Sequence, residues 1–244
     1  MRAGPRRALY GQGSYIQQRI GVLPYAWWSA SRLDLITKDG SDLVSSWRDI
    51  IAGYTVTAAT SARPTWEATG YSTRAAIAFD GVANVMTGEP LPSGIPSGAK
   101  ACEEWYAIDQ RALAASTSAM SLGTSGGSAT SSRRALFRVV VSGVNRLQAG
   151  DTSISVTEST VDFSGRHIVR LISTGSFLNC EIDGVPATQA ACTPNLGTTR
   201  IRFGASQANT PASFINAAIA DRAFTPLLNT AQAAAMRALM TAGL

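Results

Sequence analysis

Apolar and polar residues alternate in short runs along most of this chain, the period of half-buried β-strands. Arg74 to Phe79 (RAAIAF) is one such run, closed by the turn dipeptide Asp80-Gly81. In CEEWYAIDQ, alternation sets Trp105, Ala107 and Asp109 on one face and Tyr106 and Ile108 on the other. Ala135 to Val141 predicts a strand that turns at Ser142 to Asn145 and returns, and Ala119 to Leu122 predicts a short strand before it. Thr152 to Val156 and Arg166 to Ser173 predict two more. SFLNCEI then runs into Asp183-Gly184, a hairpin turn, and RIRF and INAAIADRAF supply the last strands. Pro90, Pro92 and Pro96 among glycines mark a loop.

The period changes at the C-terminus. Met236, Leu239 and Met240 fall at i, i+3 and i+4, Asn229 is a good N-cap, Gln232 completes a capping box and Gly243 is a stop. This predicts a helix over about 229–243, lying against the strands. Near the start, AWWS predicts a strand in which Trp27 and Trp28 point to opposite faces, so that only one meets a core.

Charge separates the first residues from the rest. The net charge is +5; residues 1–20 carry Arg2, Arg6, Arg7 and Arg19 and no acid, while the remaining 224 hold 17 basic and 16 acidic groups. The chain therefore divides into a basic N-terminal arm, 1–24, and one domain, 25–244. Four spaced arginines make a thin footprint for nucleic acid. Arg6, Arg7, Tyr10, Tyr15 and Arg19 are better suited to ordering on a partner protein, where Arg and Tyr are common anchors. No apolar run of membrane-spanning length and no apolar leader core occurs, which predicts synthesis in the cytoplasm and no membrane partner.

Candidate chemistry is sparse. Cys102, Cys180 and Cys192 lack C-x-x-C spacing; the Asp183-Gly184 turn sets Cys180 opposite Ala187, so these are expected to be buried free thiols. The single histidine, His167, sits mid-strand with no G-x-S-x-G elbow to serve. There is no P-loop, dinucleotide fingerprint or zinc spacing, so no cofactor is expected.

Three blocks, SSWRD at Trp47, RPTW at Trp66 and AFDG at Phe79, follow one another at spacings of roughly a dozen to twenty residues. In order and spacing they resemble the opening of laminin-G-like domains of the concanavalin A-like lectin/glucanase superfamily. His167, Ile182, Asp183 and Gly184 resemble that family's later histidine strand and D-G hairpin, and the resemblance runs from about Ala26 to Leu244. It implies an all-β fold: a two-sheet antiparallel jelly-roll sandwich behind an extended arm, ending in a short helix.

Relatives that bind calcium use carboxylates near the F-D-G block; Asn84 stands there, which argues against a cation. Glucanases of the superfamily carry E-x-D-x-E or E-x-D-x-x-E on one strand. Glu181-Ile182-Asp183 begins that pattern, but Val185 and Pro186 stand where the second glutamate belongs, which predicts no enzyme. Domains of this kind without a leader look like those of tailed-phage particles. The expectation is a non-enzymatic virion accessory (capsid, collar or tail), held to other virion proteins by its arm and facing outward, homo-oligomerisation being open. The alternative is a glycan-binding module, with Trp28, Trp105 and Tyr106 as candidate platforms for a cell-surface sugar.

Overall fold

The computed structural model describes residues 5–88, 90, 101–111, 117–123, 133–141, 144–150, 156–191, 200–205 and 214–244. Helix α1 (Pro5–Ile20) comes first, followed by β1 (Ala26–Ser29), β2 (Ile36–Lys38), β3 (Val44–Arg48) and β4 (Thr55–Thr57). Next are β5 (Thr65–Tyr71), β6 (Arg74–Asp80), β7 (Met86–Gly88), β8 (Cys102–Gln110) and β9 (Thr117–Gly123). The hairpin β10 (Arg133–Val141) and β11 (Val144–Gly150) leads to β12 (Val156–Glu158), β13 (Gly165–Ser173) and β14 (Phe177–Ile182). Short β15 (Val185–Pro186) and β16 (Ala190–Ala191) precede β17 (Arg200–Phe203), β18 (Asn216–Thr225) and helix α2 (Thr230–Ala242).

The strands form two antiparallel sheets. The first runs β15-β14-β13-β8-β18-β6-β5, with β1 beside the second half of β18 and β16 beside β14. The second runs β12-β11-β10-β9-β17-β7-β4-β3-β2. Between them alternation packs Trp28, Trp47, Phe79, Tyr106, Phe203 and Phe224 into one apolar layer. Each expected strand that falls on described residues is present. Residues 151–155, with most of the expected Thr152–Val156 strand, lie outside them, as do Cys192, Pro92 and Pro96. Cys102 and Cys180 are buried, and the Ala187 N–H donates to the Cys180 carbonyl (2.7 Å), the facing that the D-G turn predicts.

The arm is the first correction. It is not extended: residues 5–20 are helical, and Ile16 and Ile20 are buried against α2 and the outer face of the first sheet. Their i, i+4 spacing supplies an apolar stripe one residue wide, enough when a prepared surface receives it. That surface is a floor of Ala76, Ala78, Ala107, Ala218, Ala220 and Ala223, flanked by Trp27 and Trp105. Alanines there allow close approach from above. Helix α2 keeps both capping-box bonds at Asn229 and buries Met236, Leu239 and Met240, as its sequence predicts. A bulge in β5 between Glu67 and Tyr71 also crosses this floor, and the Tyr71 hydroxyl donates to the His167 carbonyl of β13 (3.3 Å).

The result is three layers: helices, first sheet, second sheet. Among the described residues no helix covers the outer face of the second sheet.

Candidate functional site

That outer face carries an ordered row of hydroxyls. Strand register sets Thr37 of β2 opposite Ser46 of β3, Ser46 opposite Thr57 of β4, Thr57 opposite Thr87 of β7, and Thr87 opposite Arg202 of β17. The inward neighbours Ile36, Trp47, Val56, Met86 and Phe203 pack in the core, so strand alternation turns the row outward. At ~4.8 Å between strands, five strands span roughly 19 Å. The backbone row continues through Ser121 and Ala135.

Thr37 and Thr57 are exposed, Ser46 and Thr87 are half-buried, and Arg202 is buried, its Nε donating to the Thr87 hydroxyl at 3.2 Å. Arg48 opposite Thr55 begins a parallel row one step away. Each threonine or serine offers one donor and two acceptor lone pairs. Such a surface matches a ligand that is itself a ladder of hydroxyls. The signal was present in ITK, SSW, TVT and MTG, each with a hydroxyl beside an inward apolar residue. What aligns them is the pairing of strands distant in sequence.

The candidate platforms are not on any surface. Trp28 packs edge-on to Phe203 (centroids 5.6 Å) inside the sandwich and donates its Nε1–H to the Trp47 carbonyl. Tyr106 is also inside, its hydroxyl donating to Glu104, and burial lifts its proton release far above the ordinary phenol range. Trp105 lies on the other face, under the helices, donating to Glu103 Oε2 (2.9 Å) with the Arg170 guanidinium stacked on its ring. Alternation separated these side chains as expected, but both faces of the first sheet are covered. Trp66, the one half-buried tryptophan, has the Lys38 ammonium over its ring at 5.0 Å.

The acidic residues of the sheets are likewise engaged. Glu103 and Glu181 share Arg170, and Glu181 also meets Arg237 of α2, so this pair fastens the helix to the sheet. Glu103 Oε1 further accepts the Leu228 N–H (2.8 Å) ahead of the helix. Asp183 accepts from His167 and from the Ile168 N–H. The Glu181-Asp183 pattern is therefore structural in both members. Asp221, fully buried between Trp27 and Arg74, has its carboxyl pushed up by burial against the pull of those partners. Asp49 is pushed up in the same way, although the N–H groups of Ile51, Ala52 and Tyr54 point at it. No His/Cys/Asp/Glu group among the described residues could hold a metal ion.

Of the arm residues, Tyr15 and Arg19 are exposed on α1, Tyr15 to 45%. The side chains of Arg6, Arg7 and Tyr10 lie outside the described residues.

No family model and no curated protein matches the sequence. Solved structures do match in fold. An arabinofuranosidase complexed with arabinofuranosyl-α-1,2-xylobiose superposes with a TM-score of 0.66 at 8% identity, over 93% of this chain and 63% of that one. A GH54 α-L-arabinofuranosidase soaked with a cyclic sulfate inhibitor gives 0.64 at 8% identity over the same shares, 93% and 63%. A Trypanosoma rangeli sialidase in complex with sialic acid gives 0.58 at 10% identity, over 95% of this chain and 38% of that one. The chain thus spans less than two thirds of the length of each.

The class of fold is therefore a two-sheet sandwich of a kind found in glycosidases. This overturns the expectation of a non-enzymatic virion accessory: the similar solved structures are glycoside-processing proteins, and the arm expected to reach a particle instead packs as a helix on its own sandwich.

Proposed function

We propose that this chain is a carbohydrate-active domain that takes a saccharide along the outer face of its second sheet. The observation that carries the reading is the row Thr37, Ser46, Thr57 and Thr87, in register across four strands on the sheet face that no described helix covers, with the buried Arg202 beneath its end bonded to Thr87. The fold likeness supports the ligand class. The arabinofuranosidase and the sialidase differ in substrate and in the share of their length that the sandwich occupies, 63% and 38%, yet both are described with a sugar bound. Within this reading the sandwich is of the jelly-roll, concanavalin A-like kind.

Hydrolysis is the second reading, favoured by those same glycosidases. The pair Glu103 and Glu181 is committed to Arg170 and α2, so that pair does not serve it.

The test is affinity electrophoresis of the full chain in gels containing arabinoxylan or a sialylated glycoprotein, beside release assays on aryl arabinofuranosides and aryl sialosides. Retardation in one polysaccharide supports binding, and release supports hydrolysis. Free migration in every gel with no release would sink both readings.

A further inference from the structure

The only histidine of the chain sits between two acceptors. His167 Nδ1 lies 2.8 Å from Asp183 Oδ2, and Nε2 lies 3.0 Å from the Ser164 carbonyl oxygen. A carbonyl only accepts, so Nε2 must carry a proton. The other oxygen of Asp183 already accepts the Ile168 N–H at 2.8 Å, and Asp183 is half exposed at the solvent edge. A carboxylate only accepts, so Nδ1 also faces an acceptor. Neutral imidazole has one N–H and one lone pair and leaves one of these contacts lone pair against lone pair. The cationic ring satisfies both.

We propose that His167 holds two protons at neutral pH and works as a proton-dependent latch. It ties the loop before β13 to the Asp183-Gly184 turn that joins β14 and β15. Geometry at both ends fits a latch. Asp183 sits at φ 52, a conformation aspartate tolerates but does not favour, so the turn gains from an external tie. On the other side, Ser164 is held in place by Asp162, whose Oδ1 accepts from both its N–H and its hydroxyl. Phe163 stacks on the imidazole, with ring centres 5.8 Å apart.

The charges around the ring are few. Asp183 faces it from the turn, Arg166 is its neighbour on β13, and Arg237 of α2 closes on Gly184. Tyr71 of β5 reaches the His167 carbonyl, and its hydroxyl is pushed up to about 12, mainly by burial, so it stays neutral while the histidine titrates. The carboxylate that pairs with the ring belongs to Asp183, and losing the ring proton removes one arm of the latch.

A single histidine makes the test clean. In long-range nitrogen–proton NMR spectra of the full chain labelled with 15N-histidine, both ring nitrogens should show the protonated pattern at neutral pH. One protonated and one bare nitrogen at that pH would overturn the proposal. Raising the pH should then accelerate exchange of the Ile168 amide beyond the increase shared by the Leu171 amide on the same strand. Equal acceleration of the two amides would show that no latch opens. Asp183→Asn keeps a residue that tolerates positive φ and removes the charge. It should move the histidine titration to lower pH, and an unchanged midpoint would count against the pairing.

Discussion

Arg222 and Glu104 form an ion pair in the middle of the sandwich, Nη2 to Oε2 3.3 Å, with exposures of 0% and 1%. The guanidinium is stacked among the rings of Phe203 (4.5 Å), Phe224 (4.9 Å) and Tyr106 (5.2 Å), and its Nη1 donates to the Arg202 carbonyl. Desolvating two charges is costly, and their attraction in a low dielectric offsets this only while both are present. Arg222→Ala should therefore cost about 3–5 kcal/mol in urea unfolding. Replacing both partners, Arg222→Met with Glu104→Leu, should cost clearly less than Arg222→Ala alone. Additive losses in the double variant would mean that the two charges act independently.

Among the described side chains of helix α1, two are buried. Ile16 is fully buried and Ile20 nearly so, while the neighbouring Tyr15 and Arg19 face solvent. An isolated sixteen-residue helix is marginal in water, so its persistence depends on docking. Ile16→Ala should cost about 2–4 kcal/mol and lower helical ellipticity by more than the single residue changed. Loss of stability with ellipticity unchanged would show that the helix stands without the sheet beneath it.

The sequence made the sandwich legible and hid its third layer. Alternation located CEEWYAIDQ and RHIVRLIS because each strand shows its faces locally, and the capping box located α2 because a cap is read over four residues. Helix α1 escaped because Gly11 and Gly13 lower its propensity and Ile16 and Ile20 are an apolar pair too small to signal a face. The alanine floor that receives it comes from three strands far apart in the chain, β6, β8 and β18. The same gap misplaced Trp28, Trp105 and Tyr106: alternation says that side chains point apart, not that both sides are covered. The hydroxyl row is the converse case, with every residue visible and its alignment set only by pairing β17 with β7 and β7 with β4.

The cap of α2 can be tested alone. The Asn229 side chain accepts the Gln232 N–H at 3.0 Å, and the Gln232 side chain accepts the Asn229 N–H at 3.0 Å. Asn229→Ala removes the first bond and exposes an orphan donor, so it should cost about 1 kcal/mol. The Glu103 bond to the Leu228 N–H should hold the helix in place, leaving the circular-dichroism spectrum unchanged at low temperature. A change of fold rather than of midpoint would contradict this division of labour.

Stability against pH should carry two opposite contributions. Glu67 is held below the usual carboxylate range, chiefly by its hydrogen bonds with Arg111. A lowered folded-state value gives stability that is present above the unfolded value and lost as pH falls through the folded one. Both side chains are about one-third exposed (34% and 33%), so screening limits the pair to less than about 1 kcal/mol. Asp221 is raised by burial, so its ionisation opposes folding and stability falls as pH rises from the unfolded toward the folded value. Glu67→Gln should lower the midpoint at neutral pH and converge with the parent in acid; Asp221→Asn should steepen the acid loss. Parallel curves for all three proteins would refute both assignments.

The saccharide reading makes a prediction that separates binding from folding. Thr37 and Thr57 are exposed members of the hydroxyl row, with no ion pair or core contact of their own among the described residues. Thr→Val keeps the branched shape and strand preference and removes only the hydroxyl. Thr37→Val with Thr57→Val should therefore shift stability by no more than about 0.5 kcal/mol per site. Each lost hydroxyl leaves a ligand polar group unpaired, worth about 1–3 kcal/mol, so the double variant should lose at least tenfold in affinity for the retained polysaccharide. Arg19→Ala on the exposed side of α1, across the molecule from the row, should bind as the parent does. Thr87 is left untouched because its hydroxyl accepts from Arg202, and removing it would disturb the arginine as well. Full affinity in the double variant would move the site off this face, and equal loss in Arg19→Ala would show that the retardation reports charge and not recognition.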